Sequence, residues 1–338
     1  MANANLRNAK KAKNDEFYTV LTDIEKELVH YVDFFNGKVV YCNCDDARES
    51  NFFKYFSLNF EHLGLKKLIT TGFKADGKGV VLIYEGDKNG NRMVEDSEII
   101  TKELEGNGDF RSAECIEFLK ECDVVVTNPP FSLFREYVAQ LMEYGKKFII
   151  LGNNNSVTCK EIFQYIKNNK LWLGTTANKT MEFSIPYSYE KWDRIENGVK
   201  IGKVPSISWY TNIPHSKRNT PLDLYRRYSN EYIKFANLDA INCKVSDIPI
   251  DYDGIIGVPV SFLENYCPTQ FEILATSNDV EELKKLGVKP IGAEGISLLR
   301  SQGGTAHLSA NSTELYYIEN GKFKKPFSRI LIRKKNTF

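Results

Sequence analysis

The sequence predicts an α/β protein built on a doubly wound, mainly parallel sheet, with a smaller region after it. Val124-Val125-Val126, three β-branched residues between Asp123 and a turn, read as a short strand buried on both faces. From there the chain passes through a helical stretch, Leu133 to Glu143, into the apolar run Lys147-Phe148-Ile149-Ile150-Leu151. Strand, helix, strand is the grammar of a parallel sheet with right-handed crossovers. Beyond Pro214 the composition turns basic and aromatic, which marks a second region.

The 338 residues carry a net charge of +1 and 42% hydrophobic residues, ample for a sizeable core and without the bulk basicity that announces nucleic acid. Seven cysteines, an odd number with no Cys-x-x-Cys pair, argue against a disulfide framework and against a zinc site, so no metal is expected. No apolar run reaches membrane-spanning length, and the amino terminus is basic and polar without an apolar signal core. The expectation is a protein of the reduced cytoplasm.

Residues 1–13 hold Arg7, Lys10, Lys11 and Lys13 and no acid, the composition of a solvated tail or of a flexible arm that wraps DNA. Asp23 to Phe35 reads as a helix, with Ile24, Leu28, Tyr31 and Val32 at helical spacing. Gly37 to Cys42 is turn followed by strand, and Ser50 to Phe60 a helix; the loop between them, Asn43 to Glu49, contains no glycine. Asp45 in that loop is placed either to pair with a ligand amino group or to cap the next helix. Lys67 to Thr70 and Gly79 to Tyr84 are strands, with a turn or hairpin over Glu85 to Arg92 at what should be a sheet edge. A glycine-rich loop, Gly106 to Phe110, carries one carboxylate, and the helix Ser112 to Cys122 leads to the central strand.

Asn128-Pro129-Pro130-Phe131 ends that strand. The prolines remove backbone donors and fix φ, which makes a stiff loop where open α/β sheets bind their ligands. Such a loop suits methylation of a planar exocyclic amine. The amine lone pair is delocalised into the ring, so a catalyst must hold both amino hydrogens out of the plane, and two rigid acceptors do that. The Asn128 side-chain oxygen and the Pro129 carbonyl form the pair, Pro130 having no N–H to compete for it, and the Phe131 ring can stack on the base for about 1–3 kcal/mol.

After Cys159 to Asn168, a helix, and Leu171 to Leu173, a strand, Met181 to Pro186 and Pro205 to Ile213 read as an antiparallel pair closing the sheet. Trp209 and Tyr210 there are either core or a wall of a base pocket. His215, Lys217, Arg218, Arg226, Arg227 and Lys234 interleave with Tyr225, Tyr228 and Tyr232, and Lys322 to Lys335, including Lys324 and Lys325, holds seven basic residues and no acid. Cations for phosphate and planar rings for stacking are what a DNA-facing surface needs. Ser297 to Thr313 reads as loop. Leu315 to Ile318 and Ile330 to Ile332 read as strands of a hairpin with a basic turn over Gly321 to Lys325.

Several of these stretches resemble one family. Asn-Pro-Pro-Phe is similar to motif IV of the amino-methyltransferases. Residues 14–19 (Asn-Asp-Glu-Phe-Tyr-Thr), 39–46 (Val-Val-Tyr-Cys-Asn-Cys-Asp-Asp), 50–56 (Ser-Asn-Phe-Phe-Lys-Tyr-Phe) and 108–112 (Gly-Asp-Phe-Arg-Ser) look like the EcoRI-type adenine-specific DNA methyltransferases. The likeness is strongest from Lys10 to Gly174, returns near Asp239 to Leu274, and is weak between about Thr175 and Asn237 and after Thr276. The family often reads Asp-Asp-Pro where this chain has Asp45-Asp46-Ala47. The resemblance implies a Rossmann-like class I methyltransferase sheet over residues 14–213 and a DNA target-recognition region over 214–338. It implies S-adenosylmethionine as methyl donor, bound through Tyr18 and Thr19 (motif X), Asn43 and Asp45 (motif I), Asp109 and Phe110 (motif III) and Asn128. It also implies base flipping of one adenine in double-stranded DNA, catalysis at Asn128, Pro129, Pro130 and Phe131, and protection from a cognate restriction endonuclease that acts on the same site without contact. An enzyme that modifies one strand at a time is expected to work as a monomer. RNA adenine, cytosine N4 and protein glutamine remain open as acceptors, and the glycine-free motif I leaves open a non-catalytic DNA-binding protein that keeps the fold.

Overall fold

The computed structural model describes residues 18–75, 77–177, 179–185, 192–303 and 307–335, which fall into two compact units. The first gathers the described residues up to Ser156 with Trp172–His215; the second takes Val157–Leu171 and the described residues from Ser216 onward.

Eleven strands form the sheet of the first unit. Its centre is β2 (Val39–Cys42) and β6 (Val124–Thr127), parallel neighbours whose residues are all buried. β-Branched side chains suit a strand covered on both faces, as both are here. Outside β2 lies β3 (Lys67–Gly72), parallel to it, then β4 (Val80–Tyr84) and β5 (Ile99–Glu103) as an antiparallel hairpin at the edge. Outside β6 lies β7 (Lys147–Asn153), also parallel, and then β11 (Val199–Thr211), which runs antiparallel and carries β9 (Lys179–Ile185) and the edge strand β1 (Tyr18–Thr19). The antiparallel closure expected from Met181 to Ile213 is therefore present, with β8 (Trp172–Leu173) and β10 (Arg194–Glu196) as short additions on β11. From β2 the chain first builds outward to β5 and then crosses back to β6 on the other side. The order of strands reverses between β2 and β6, and open α/β sheets bind their ligands at the carboxyl ends of the strands at such a reversal.

Helices cover the sheet where the periodicity places them. Helix α1 (Leu21–Leu28) continues through a tight turn into Val32–Phe35 and buries Ile24, Leu28, Tyr31 and Phe35. Helices α2 (Asn51–Leu58) and α3 (Ala113–Glu121) start at Ser50 and Ser112, whose hydroxyls accept from the amides of Phe52 and Cys115. Phe52 and Phe56 of α2 join Val40, Val124, Val126, Ile149, Leu151 and Trp209 in one core cluster. Glu27 of α1 is wholly buried, and four donors satisfy it: the Tyr31 hydroxyl, the amides of Thr175 and Thr176, and the Thr176 hydroxyl, at 2.7–2.8 Å. The hairpin loop between β4 and β5 is closed by Asp87, whose carboxylate takes the amides of Asn89, Gly90 and Arg92. β5 itself escapes the sequence because four of its five residues face water.

In the second unit, β12 (Ala240–Asn242), β13 (Ile255–Pro259), β17 (Arg329–Lys334) and β14 (Phe271–Thr276) form a four-stranded sheet in that order. Helix α5 (Lys160–Lys167) belongs to this unit: its Lys167 reaches Glu282 of α6 (Val280–Lys285) at 2.6 Å. Two expectations are corrected here. The predicted pairing of Leu315–Ile318 with Ile330–Ile332 does not form; β15 (Tyr317–Glu319) pairs with β16 (Lys322–Lys324) across Asn320-Gly321, both at positive φ, the geometry of a two-residue hairpin turn. Ile330–Ile332 instead lies between β13 and β14. Ser297 to Ser301, read as loop, ends a helix, α7 (Gly292–Ser301), which packs Ile296 beside Tyr316 and Phe323. Two glycines in ten residues weaken the helical signal, and tertiary packing overrides them.

Candidate active site

Three loops meet at the carboxyl ends of the parallel strands in the first unit. Asn43–Asp46 leaves β2, Asn128–Phe131 leaves β6, and Gly106–Phe110 lies across the end of β3. The last loop is pressed on that strand: the amide of Lys74 donates to the Asn107 carbonyl at 2.9 Å, and a Cβ on Gly108 would stand 2.3 Å from the Gly72 carbonyl oxygen. Only glycine fits there, and its φ of +81° adds a second reason.

The loop after β2 makes a left-handed turn despite its lack of glycine, with Cys44 at φ +72°. Asp46 closes the turn by accepting from the amides of Arg48 and Glu49, and Ser50 caps the helix. Neither task falls to Asp45. Its half-buried carboxylate takes the Ser50 hydroxyl at 3.3 Å. Asn43 departs from expectation. It is 3% exposed, with its Oδ1 receiving the Tyr137 hydroxyl at 2.5 Å and the Cys44 thiol at 3.4 Å, so its side chain is turned under the loop. Its carbonyl accepts from the hydroxyl of Thr127, the last residue of β6.

Asn128 is half-buried, Pro129 buried, Pro130 exposed and Phe131 half-buried against the edge of the core. The Pro130 carbonyl accepts from the Leu133 amide at 2.9 Å, leading into helix α4 (Phe134–Glu143). Phe110 is buried, edge-on to the Tyr137 ring with centroids 4.9 Å apart. Asp109 holds Arg111 through three bonds of 2.6–2.9 Å, and that guanidinium keeps its carboxyl below the usual range and ionised. At most one acceptor position of Asp109 stays open for a base amino group.

Thr19 lies in β1, paired with Phe183 of β9, and its carbonyl takes the Asn51 side-chain amide at 2.8 Å. Asn51, on α2, thereby ties this strand to the helix that follows the Asp45 loop. Tyr18 pairs with Ser184 along the backbone. Lys10, Lys11 and Lys13 lie outside the described residues. Sequence reasoning missed Asn51, Arg111, Thr127 and Tyr137. Each is an ordinary residue for its element, and only Arg111, two positions from Asp109, offered a local clue. Trp209 and Tyr210 wall no pocket: both are fully buried, Trp209 against Phe52 and Tyr210 against Phe134 with its hydroxyl on the Asn153 carbonyl.

In the second unit the basic cluster divides. Arg218 is 7% exposed and donates to the Tyr266 carbonyl and the Asn169 side chain, an internal strut rather than a phosphate ligand. His215, which ends the first unit, is likewise buried. Lys217 is half-buried. Arg226, Arg227, Lys324 and Lys325 are exposed, each near a carboxylate (Asp247, Asp251, Glu319 and Glu314). Exposed pairs of this kind are worth about 0–1 kcal/mol and yield readily to a stronger anion. Tyr228 stacks between Tyr232 and Tyr252, whereas Tyr225 is open to solvent. Among the described residues no group of His, Cys, Asp and Glu is placed to hold a metal ion, and no helix is long and apolar enough to cross a membrane.

Four parallel strands reversing between β2 and β6, with loops at their carboxyl ends and antiparallel strands closing one side, define the Rossmann-like fold of a class I methyltransferase. The family model of the EcoRI adenine-specific methyltransferases matches residues 5–335, including Thr175–Asn237 and the stretch after Thr276. The chain is 47% identical over 295 residues to the Type II methyltransferase M.EcoRI of Escherichia coli, covering 82% of this chain and 90% of that one. It is 42% identical over 277 residues to M.MgeORF184P of Mycoplasma genitalium (79% and 84% covered) and 43% over 276 residues to M.MpnI of Mycoplasma pneumoniae (79% and 83%). The chain belongs to the EcoRI family of adenine-specific methyltransferases. It is accordingly an enzyme that moves a methyl group from a donor to adenine.

Proposed function

We propose that this enzyme methylates N6 of one adenine within a short sequence of double-stranded DNA, with S-adenosylmethionine as donor, and so protects the site from a cognate restriction endonuclease. The observation that carries the reading is the adjacency of two loops across the strand reversal, the rigid Asn128–Phe131 beside the carboxylate-bearing Asn43–Asp46. The residues fit the donor: Asp45 offers a carboxylate to an ammonium, Phe110 an apolar ring edge to a purine, and Asp109 an acceptor to its amino group. When bound, S-adenosylmethionine supplies an activated methyl on a sulfonium.

The chain's own part is to place the acceptor. Asn128 Oδ1 and the Pro129 carbonyl accept hydrogen bonds from the two N6 hydrogens, hold them out of the ring plane and so take the nitrogen lone pair out of conjugation; one of those protons passes to solvent once N6 carries the methyl group. Phe131 stacks on the flipped base, whose extrusion costs a few kcal/mol. Orientation rather than acid–base chemistry supplies most of the acceleration. Arg226, Arg227, Lys324 and Lys325, with Lys10, Lys11 and Lys13, contribute phosphate contacts, and residues from about 214 onward serve target recognition. The protein works in the cytoplasm as a monomer.

Base-resolved methylation mapping of DNA from cells expressing the chain, beside an Asn128→Ala version, tests this reading. N6-methyladenine at one short sequence, absent with Asn128→Ala, is expected. No mark from soluble wild-type protein would overturn it and direct attention to RNA or protein acceptors.

A further inference from the structure

We infer that Tyr137 is a positioning residue for methyl transfer, fixing the donor-binding loops from the helix that follows the acceptor loop. The inference rests on the donor site proposed above. Tyr137 lies on the buried face of α4 with no exposed surface, and a phenylalanine would fill that volume without a polar atom to satisfy. Its hydroxyl is used. It donates to Asn43 Oδ1 at 2.5 Å, and burial pushes the phenol's pKa far up, so it keeps its proton at every working pH. One turn on, Gln140 Nε2 reaches the Phe110 carbonyl at 3.3 Å, while the Tyr137 ring meets the Phe110 ring edge-on.

One face of α4 therefore grips both donor loops, Asn43 by its side chain and Phe110 by ring and carbonyl. The same helix is continuous with the acceptor loop: Leu133 donates to the Pro130 carbonyl, and Tyr137 to the Leu133 carbonyl, each at 2.9 Å. Thr127, immediately before Asn128, holds Asn43 from the other side through its carbonyl. Asn43 is clamped between the strand that enters the acceptor loop and the helix that leaves it. A displacement of the acceptor loop is thus felt at Asp45, two residues beyond Asn43, and at Phe110. Tyr137 acts through Asn43 and Phe110 and touches neither substrate.

The test is a double-mutant cycle read by calorimetric binding of S-adenosylmethionine and S-adenosylhomocysteine. Tyr137→Phe keeps the ring contact and removes only the O–H, and Kd for both nucleosides is expected to rise about 10-fold, the scale of one buried hydrogen bond lost. Asn43→Ala should weaken binding at least as much, and adding Tyr137→Phe to it should change nothing further. In steady-state assays the donor KM should rise by the same factor, with a smaller change in kcat. A folded Tyr137→Phe protein that binds within about twofold of wild type, or one whose effect is undiminished on the Asn43→Ala background, would overturn the inference. Should Tyr137→Phe fail to fold, Gln140→Ala serves: donor Kd is expected to rise about threefold, and unchanged binding refutes the coupling. Wild-type protein that binds neither nucleoside sinks the donor-site reading and this inference together, whereas wild-type binding with an unaffected Tyr137→Phe variant sinks this one alone.

Discussion

The loops after β2 and β6 occupy equivalent places, at the carboxyl ends of neighbouring parallel strands, and they are held rigid in opposite ways. Asn128–Phe131 owes its stiffness to its own covalent chemistry, two prolines that fix φ and remove donors. Asn43–Asp46 has no proline and no glycine. It holds a left-handed Cys44 in place with bonds borrowed from elsewhere: Tyr137 and Thr127 on Asn43, and Ser50 on Asp45. Stiffness written into a loop's own residues can be read from one sequence, and borrowed stiffness cannot, because its partners lie 84 and 94 positions away.

The sharpest way to break the comparison is at the acceptor loop. Asn128→Ala removes one of two acceptors from a frame that the prolines keep intact. Methylation of DNA is expected to fall about 10²–10³-fold, with little change in thermal midpoint and a loss of donor affinity no larger than one direct contact from Asn128 explains, about 10-fold. A larger loss of donor affinity would show that the acceptor loop is not self-supporting.

Gly108→Ala extends the comparison to the third loop, which is pressed on the end of β3. The added Cβ meets the Gly72 carbonyl and a φ of +81° together, so unfolding in urea should show a loss of about 2–3 kcal/mol, with donor affinity reduced in parallel. Cys44→Gly does the reverse. A residue at φ +72° is relieved while chain entropy is lost, and a net gain of about 0.5 kcal/mol is expected in the same measurement. A loss there would mean that the thiol's bond to Asn43 matters more than the backbone.

The same division governs how much of the molecule was legible. β-Branched runs such as Val124–Val126, the serines that start α2 and α3, and the Pro-Pro loop declare themselves through local chemistry, and the central sheet followed from them. β5 did not, since an exposed edge strand carries no apolar alternation, and α7 was hidden by Gly292 and Gly295. Arg218 looked like its basic neighbours because sequence does not say which side chain of a cluster turns inward. Trp209 suits core and pocket equally by its residue type, and its packing on Phe52 decides for core. Asn43 was placed among the ligand-binding residues by the resemblance of its loop to a motif I, and the bond of its side chain to Tyr137 is not legible in the sequence.

The smallest expected effect tests whether the donor side is ionic where the acceptor side is covalent. Arg111 holds the Asp109 carboxyl below its ordinary value, so the folded protein protonates Asp109 at lower pH than the unfolded chain does. The stability this pair contributes is complete above the ordinary aspartate pKa of about 4 and is lost as pH falls through the depressed folded value. Donor affinity should therefore stay flat from neutral pH down to about 4 in the wild type. Arg111→Ala lets Asp109 return toward its ordinary value, and affinity should begin to fall at a higher pH than in the wild type. The pair is half-open to water, so its direct contribution is small and should shrink with added salt. Donor titrations at stepped pH and two ionic strengths measure both. An Arg111→Ala curve that overlays the wild type would mean that Asp109 is held by the loop's backbone and not by its charge.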